Sequence, residues 1–145
     1  MSTLERAIAI AAEAHAGCSD KAGAPYILHP LRVMLSLTGL EERIVAVLHD
    51  VVEDNDDWTF DRLRREGFSE NVVAGVEPVT KRDGEDYMAF VQRASLNPIG
   101  RRVKRGDLVD NCDLSRTSNP TAGDHKRIEK YRRALDLLDS LDLES

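Results

Sequence analysis

The chain has 145 residues, 41% hydrophobic and 32% charged, which suits one folded domain with a full core and excludes a disordered chain. Its net charge of −6 argues against general DNA binding, which needs a net basic face. No apolar run approaches the roughly 20 residues of a membrane span, and the start, Met1-Ser2-Thr3-Leu4-Glu5-Arg6, has no basic stretch leading into an apolar core, so a cytoplasmic location is expected, with Cys18 and Cys112 as reduced thiols.

The pattern is helical nearly throughout. Leu4, Ala7, Ile8, Ala11 and Ala12 form a 3.6-period stripe over residues 3–17. Gly17, Gly23 and Pro25 then mark a loop. Pro30 suits a first helical turn, followed by Leu31, Val33, Met34, Leu35 and Leu37, and Gly39 ends that segment. Glu41 and Glu42 open the next helix, where acids favour the positive dipole end, and it is expected to run to about Glu53. Thr59 is an expected N-cap for a short helix ending at Gly67, and Ser69 for another reaching about Glu77. After a polar loop over 79–84, helices are expected over 85–96, 99–115 and 122–141, separated by Asn97-Pro98 and Asn119-Pro120. Thr121 and Asp124 are spaced as a capping box for the last of these. In the helix over 99–115, Val103 and Val109 are expected to face inward. No strand pattern, repeat or linker is visible, so the expectation is a compact all-α domain of six to eight helices.

Charge is divided unevenly. Residues 1–60 carry four Lys/Arg against ten Asp/Glu, and residues 101–133 carry ten Lys/Arg against five Asp/Glu. A small phosphorylated ligand suits such a split. The sharpest anomaly is Leu48-His49-Asp50-Val51-Val52-Glu53-Asp54, where an apolar helix ends in four ionisable side chains. Buried charge is costly unless paired or bound to a metal. His49 and Asp50 are therefore candidate ligands, and Glu53 and Asp54, one turn on, are candidates to position or deprotonate a water. On a continuous helix, His49/Glu53 and Asp50/Asp54 would stack on adjacent faces. The alternative is an exposed acidic helix end with a satisfied histidine. The acids there oppose the helix dipole, which favours the functional reading. Pro30 biases His29 away from the helical region, as a fixed ligand or as a cap of the next helix. Asp107 and Asn111 share a helix face. Asp107 could complete a ligand set, and Asn111 could bond a phosphate, a sugar or a water, whereas Asp110 and Asp113 read as solvated. Among the cations, Lys21, Lys81, Arg82, Lys104 and Arg105 lie near these motifs in sequence, but spacing does not choose a phosphate clamp.

Taken together in the order H…HD-x-x-ED…D-x-x-x-N, these motifs resemble the HD-domain metal phosphohydrolases, and more closely the hydrolase domain of the Rel/Spo enzymes and the stand-alone small alarmone hydrolases. Ala14-His15-Ala16-Gly17, Lys21-x-Gly23-x-Pro25-Tyr26-Ile27-x-His29-Pro30, Val79-Thr80-Lys81 and Val103-Lys104-x-x-Asp107-x-x-x-Asn111 carry the likeness over about residues 5–135. The resemblance implies a single HD-type phosphohydrolase domain over 1–145. It also implies one Mn²⁺ per chain, held by His29, His49, Asp50 and Asp107, with Glu53 and Asp54 as the catalytic carboxylates. Lys21, Asn111 and Lys104 fall at positions around the nucleotide and its phosphates. The implied reaction removes pyrophosphate from the ribose 3′-oxygen of (p)ppGpp, giving GDP or GTP, with the ion polarising the pyrophosphate and lowering the pKa of bound water. The synthetase half of the long family members has no counterpart here, so synthesis is not expected.

The chain departs from the family pattern at Asp20 and Asp113, where Arg is usual, and at Lys104-Arg105-Gly106-Asp107, where Lys-Leu-Ala-Asp is common. The nucleotide-binding shell thus differs while the metal motif is complete. Two alternatives follow: the same chemistry on another nucleotide (an adenine alarmone, NADPH or a nucleoside monophosphate), or a non-catalytic nucleotide sensor. The expected partner is a phosphorylated nucleotide, with no DNA and no membrane. A homo-oligomer stays open.

Overall fold

A computed structural model describes residues 2–144. Among them the chain forms α1 (Leu4–Ala14), α2 (Leu28–Leu35), α3 (Leu40–Leu48), α4 (Val51–Asp54), α5 (Phe60–Arg65), α6 (Glu70–Val76), a 3₁₀ turn (Glu77–Val79), α7 (Tyr87–Ser95), α8 (Pro98–Asn111) and α9 (Ala122–Glu144). There is no strand among the described residues, and the one β-bridge pairs Ser19 with Pro25. The all-α expectation holds. The four-residue α4 continues α3 after a break, and taken with it the helices stay within the expected range. Among the described residues no helix is long and apolar enough to cross a membrane.

The helix starts follow local chemistry. Thr3, Thr59, Ser69, Asp86 and Asn97 each accept a hydrogen bond from a backbone N–H of the following turn, which satisfies a donor the helix itself cannot. At α9, Thr121 N–H donates to Asp124 Oδ2 at 2.8 Å and Asp124 N–H to Thr121 Oγ1 at 3.1 Å, the reciprocal box expected from the spacing. Gly67, at φ +93°, closes the turn after α5, a conformation that costs a residue with a Cβ roughly 1–2 kcal/mol.

α3 organises the molecule. Ile44, Val45, Ala46, Val47 and Leu48 are all buried, so this helix is apolar on every side and must be surrounded. α1, α2, α6 and α8 pack around it. Each fully buried Val or Leu contributes about 1.5–3 kcal/mol of transfer free energy. A second, smaller cluster of Val91, Leu108, Ala134 and Leu138 joins α7, α8 and α9. Val103 faces inward as expected, but Val109 is 49% exposed and Leu108 is fully buried in its place. The buried stripe of α8 runs Gly100, Val103, Lys104, Asp107, Leu108, and at about 100° per residue position 109 turns out of that stripe. Likewise in α1 the buried residues are Ala7, Ile10 and Ala11, while Ala12 is exposed.

Several expected boundaries differ: α1 ends at Ala14, α8 ends at Asn111 rather than 115, α9 runs past 141, and α2 and α3 depart as follows. α2 begins at Leu28, so His29 is helical rather than extended, and Pro30 sits in the first turn, where its missing N–H costs nothing. α3 stops at Leu48 instead of running to Glu53. His49 Nδ1 lies 2.5 Å from the Ala46 carbonyl, and His49 N–H also points at that oxygen at 3.5 Å. A continuing helix would offer this carbonyl to Asp50 N–H. The imidazole takes it, and the helix resumes only at Val51.

Candidate metal centre

The interrupted end of α3 meets α2 and α8 inside the protein. His29 comes from the first turn of α2, His49 and Asp50 from the break, and Asp107 from the buried stripe of α8. His29 Nε2 is 2.8 Å and His49 Nε2 3.3 Å from Asp107 Oδ1, while Asp50 Oδ2 is 3.2 Å from His49 Nε2 and 3.9 Å from His29 Nε2. One donor atom each from His29, His49 and Asp50 falls within 4.8 Å of the others. Donors sharing an ion at about 2.1 Å stand about 3 Å apart across adjacent coordination positions. The spacing of these three fits a single divalent ion, and their nitrogen–oxygen donor mix suits one; Asp107 Oδ1 stands against both imidazoles but falls outside that group of three.

The imidazoles are oriented from behind. The Ala46 carbonyl holds His49 by Nδ1, leaving Nε2 to face the carboxylates. His29 is held by Nδ1, 2.7 Å from Asp110 Oδ2, and Arg32 grips Asp110 through Nε at 2.7 Å and Nη2 at 3.0 Å. Such backing sets which way each ring points. The Tyr26 hydroxyl donates to Asp50 Oδ2. His15 is buried behind Tyr26 with ring centroids 4.9 Å apart, and burial lowers its pKa.

Burial and charge oppose each other here. Burial pulls the His29 pKa down, but hydrogen bonds to Asp107 and Asp110 reverse this and raise it to about 9. His49 is likewise desolvated, and Asp50 and Asp107 hold it well above its ordinary value. Asp50, despite burial, is drawn down to about 2 by His49. Asp107 is desolvated too, and Lys104 with the two histidines holds it well below the carboxylate range. Carboxylates gathered out of water stabilise positive charge at their centre.

The other residues singled out by sequence fall in different places. Glu53 lines a cleft of about 200 Å³ over the cluster, together with Lys81, Lys104 and Asn111. Its Oε1 accepts the Lys81 N–H at 2.7 Å, and desolvation raises its pKa. Asp54 is exposed and absent from the lining. Partial burial beside Asp50 and Glu53 lifts its pKa to about 6. Continuous-helix stacking of His49 on Glu53 and Asp50 on Asp54 is broken by the interruption, although Asp54 N–H still donates to the Asp50 carbonyl at 3.0 Å. Asn111 Nδ2 donates to Asp107 Oδ1 at 3.2 Å. Lys104 is buried, with Nζ 3.0 Å from Asp107 Oδ2 and 4.5 Å from the Phe90 ring centre. Lys21 is not at the cluster: it lines an adjoining cleft of about 360 Å³ that shares Tyr26, His29, Asn111 and Tyr131 with the first.

Sequence reasoning missed Tyr26, Arg32 and Asp110. Asp110 is not solvated but half-buried and bonded to His29 and Arg32. The available signal was spacing: Arg32 follows His29 by three, and Asp110 follows Asp107 by three, so both pairs lie on common faces of helices that pack together.

Residues 7–136 match the profile of the HD domain. A guanosine-3′,5′-bis(diphosphate) 3′-pyrophosphohydrolase of Aquifex aeolicus is 36% identical over 120 residues, which cover 74% of this chain and 17% of that protein. A GTP pyrophosphokinase of Streptomyces coelicolor is 39% identical over 144 residues, covering 92% of this chain and 17% of the relative. A bifunctional (p)ppGpp synthase/hydrolase of Escherichia coli is 36% identical over 84 residues, covering 55% and 12%. The chain spans about a sixth of the length of the first of these curated relatives.

Proposed function

The chain belongs to the HD-domain family, and we propose that it is a Mn²⁺-dependent (p)ppGpp 3′-pyrophosphohydrolase. The observation that carries this reading is the convergence of His29, His49 and Asp50 at ion-sharing distances, with Asp107 against both imidazoles, beneath a cleft lined by Glu53. Relatives named for hydrolysis of this nucleotide support it, while others are named as pyrophosphokinases, so the names alone do not choose a direction. Hydrolysis is preferred because the water-activating carboxylates are present in this chain.

When bound, the ion would supply a Lewis acid for the phosphoryl oxygens and lower the pKa of an adjacent water. Glu53, steadied by the Lys81 N–H, takes a proton from the attacking water. Asp54, with its pKa near 6, lies where a carboxyl can exchange that proton with solvent. Water adds to the phosphorus joined to the ribose 3′-oxygen, the P–O bond breaks, and the oxygen leaves with a proton. Lys104 and Asn111 offer N–H donors to the diphosphate from the cleft wall, and Lys21 meets the rest of the nucleotide in the larger cleft. In this reading residues 1–145 act as one cytoplasmic hydrolase domain.

One observation favours a second reading, the same chemistry on another nucleotide. Asp20 folds onto its own loop, where Oδ1 accepts the Ala22 and Ala24 N–H groups at 2.9 Å. It therefore brings an acid to a cleft wall where the family commonly has a cation. Purified protein with Mn²⁺ and a panel of ppGpp, adenine alarmone, NADPH and nucleoside monophosphates separates the readings. Pyrophosphate and GDP from ppGpp are expected. Orthophosphate as the sole phosphorus product from every substrate would overturn the first reading, and micromolar nucleotide binding without turnover would mark a sensor.

A further inference from the structure

We propose that Asp110, clamped by Arg32, is the positioning residue that makes His29 a competent metal ligand; the inference rests on the reading of His29 as a ligand. Three facts carry it. Asp110 Oδ2 is 2.7 Å from His29 Nδ1, on the ring edge opposite the nitrogen that meets Asp107. Arg32 holds both oxygens of the same carboxylate, with Nε 2.7 Å from Oδ1 and Nη2 3.0 Å from Oδ2. The second cation nearby, Arg116, stands farther off at 3.6 Å from Oδ1 and is bonded to the Asp110 carbonyl and to Asp113.

A bidentate guanidinium fixes the carboxylate plane as a single contact cannot. The fixed carboxylate accepts from Nδ1–H, which leaves the lone pair on Nε2 for an ion and strengthens that nitrogen as a donor. Without Asp110, His29 keeps its place in α2 and Nε2 still faces Asp107, but the Nδ1 edge loses the acceptor that holds the ring from behind. His49 needs no such partner, because the Ala46 carbonyl already orients it. The two imidazoles are thus set by different devices, one from the backbone and one from a side-chain pair reaching across α2 and α8.

The test is Mn²⁺ affinity by titration calorimetry on the full chain, with melting curves in chelator to follow folding. Asp110→Ala is expected to weaken Mn²⁺ binding by about 10- to 100-fold. Asp110→Asn keeps an oxygen that accepts from Nδ1–H, so it should recover much of that loss. Arg32→Met leaves the His29–Asp110 bond but frees the carboxylate, and should fall between wild type and Asp110→Ala; it tests the clamp even where Asp110→Ala folds poorly. Wild-type affinity in Asp110→Ala, or equal losses in Asp110→Ala and Asp110→Asn, overturns the proposal, and wild-type affinity in Arg32→Met removes Arg32 from it. His29→Ala is the control. If that variant binds Mn²⁺ as wild type does, the ligand reading itself has failed, which is a separate result.

Discussion

Asp107→Asn is the most revealing single change, because one carboxylate serves so many partners. Its Oδ1 meets His29, His49 and Asn111 at 2.8, 3.3 and 3.2 Å, and its Oδ2 meets Lys104 at 3.0 Å. The histidines can respond to its loss by releasing protons. Lys104 is worse placed: its ammonium is buried, its pKa is held up against desolvation chiefly by Asp107, and beyond that carboxylate it meets only neutral partners at close range, the Tyr87 hydroxyl and the faces of Phe90 and Tyr87 at 4.5 and 5.3 Å. Removing one member of a buried ion pair costs about 3–5 kcal/mol. For a chain of this size each kcal/mol lowers Tm by about 2–4 °C, so a fall of about 6–20 °C is expected.

Calorimetric melting at pH 7 in chelator isolates this effect from metal binding. Adding Lys104→Met should restore most of the loss, because the orphaned ammonium is replaced by an apolar chain of similar length. In the same Asp107→Asn protein Mn²⁺ binding should vanish if Asp107 is the ligand proposed. The reasoning fails if Asp107→Asn melts within about 2 °C of wild type, or if the double variant melts below the single one.

Glu53→Gln should bind Mn²⁺ normally, because the amide oxygen can still accept the Lys81 N–H, yet lose about 10²–10⁴-fold in turnover; unchanged kcat would remove Glu53 from the chemistry. Leu108→Ala should destabilise by about 2–5 kcal/mol and Val109→Ala by no more than about 0.5 kcal/mol, read by urea unfolding, and comparable losses would contradict the placement of α8. Glu85 accepts from both Arg93 Nε and Nη2, at 3.0 and 2.9 Å, which brings its pKa from 4.5 to about 2. Its stabilising effect is complete above the unfolded pKa and disappears as pH falls through the folded one. The Tm difference between wild type and Glu85→Gln should therefore be full above pH 4.5 and close toward pH 2, and a difference that ignores pH would refute the ion pair.

Features decided within one turn of chain were legible in the sequence. Thr59, Ser69 and the Thr121/Asp124 pair could be read as caps because donor and acceptor lie within three residues of each other. The break after α3 could not be read that way. Its apolar run continues through Val51 and Val52, and what stops it is the His49 ring taking the Ala46 carbonyl. That choice of rotamer is favourable only because Asp50 and Asp107 wait on the other side of the ring. Val109 shows the opposite failure: its residue type suggested burial, while the phase of the stripe set by Val103, Lys104 and Asp107 put it outside. Each candidate ligand was visible in its own motif, but the family resemblance was what joined them into one set, since His29 and Asp107 are 78 residues apart.

The centre exists because α3 is apolar on every side. A helix that must be surrounded delivers its last residues into the interior, and here those residues are His49 and Asp50. Once there, they are tolerable only if each polar atom is met. The neighbouring helices do this with charge of alternating sign: Asp107 against the two histidines, Lys104 behind Asp107, Asp110 behind His29, and Arg32 behind Asp110. Each outer group neutralises the one inside it, so positive charge at the centre is balanced, and a cation can take the place of the imidazole protons there. This layered arrangement explains why Asp110 and Lys104, which look like ordinary surface charges of an amphipathic α8, are held firmly in place. It also explains why replacing either should be felt first in metal affinity and folding rather than in any surface property.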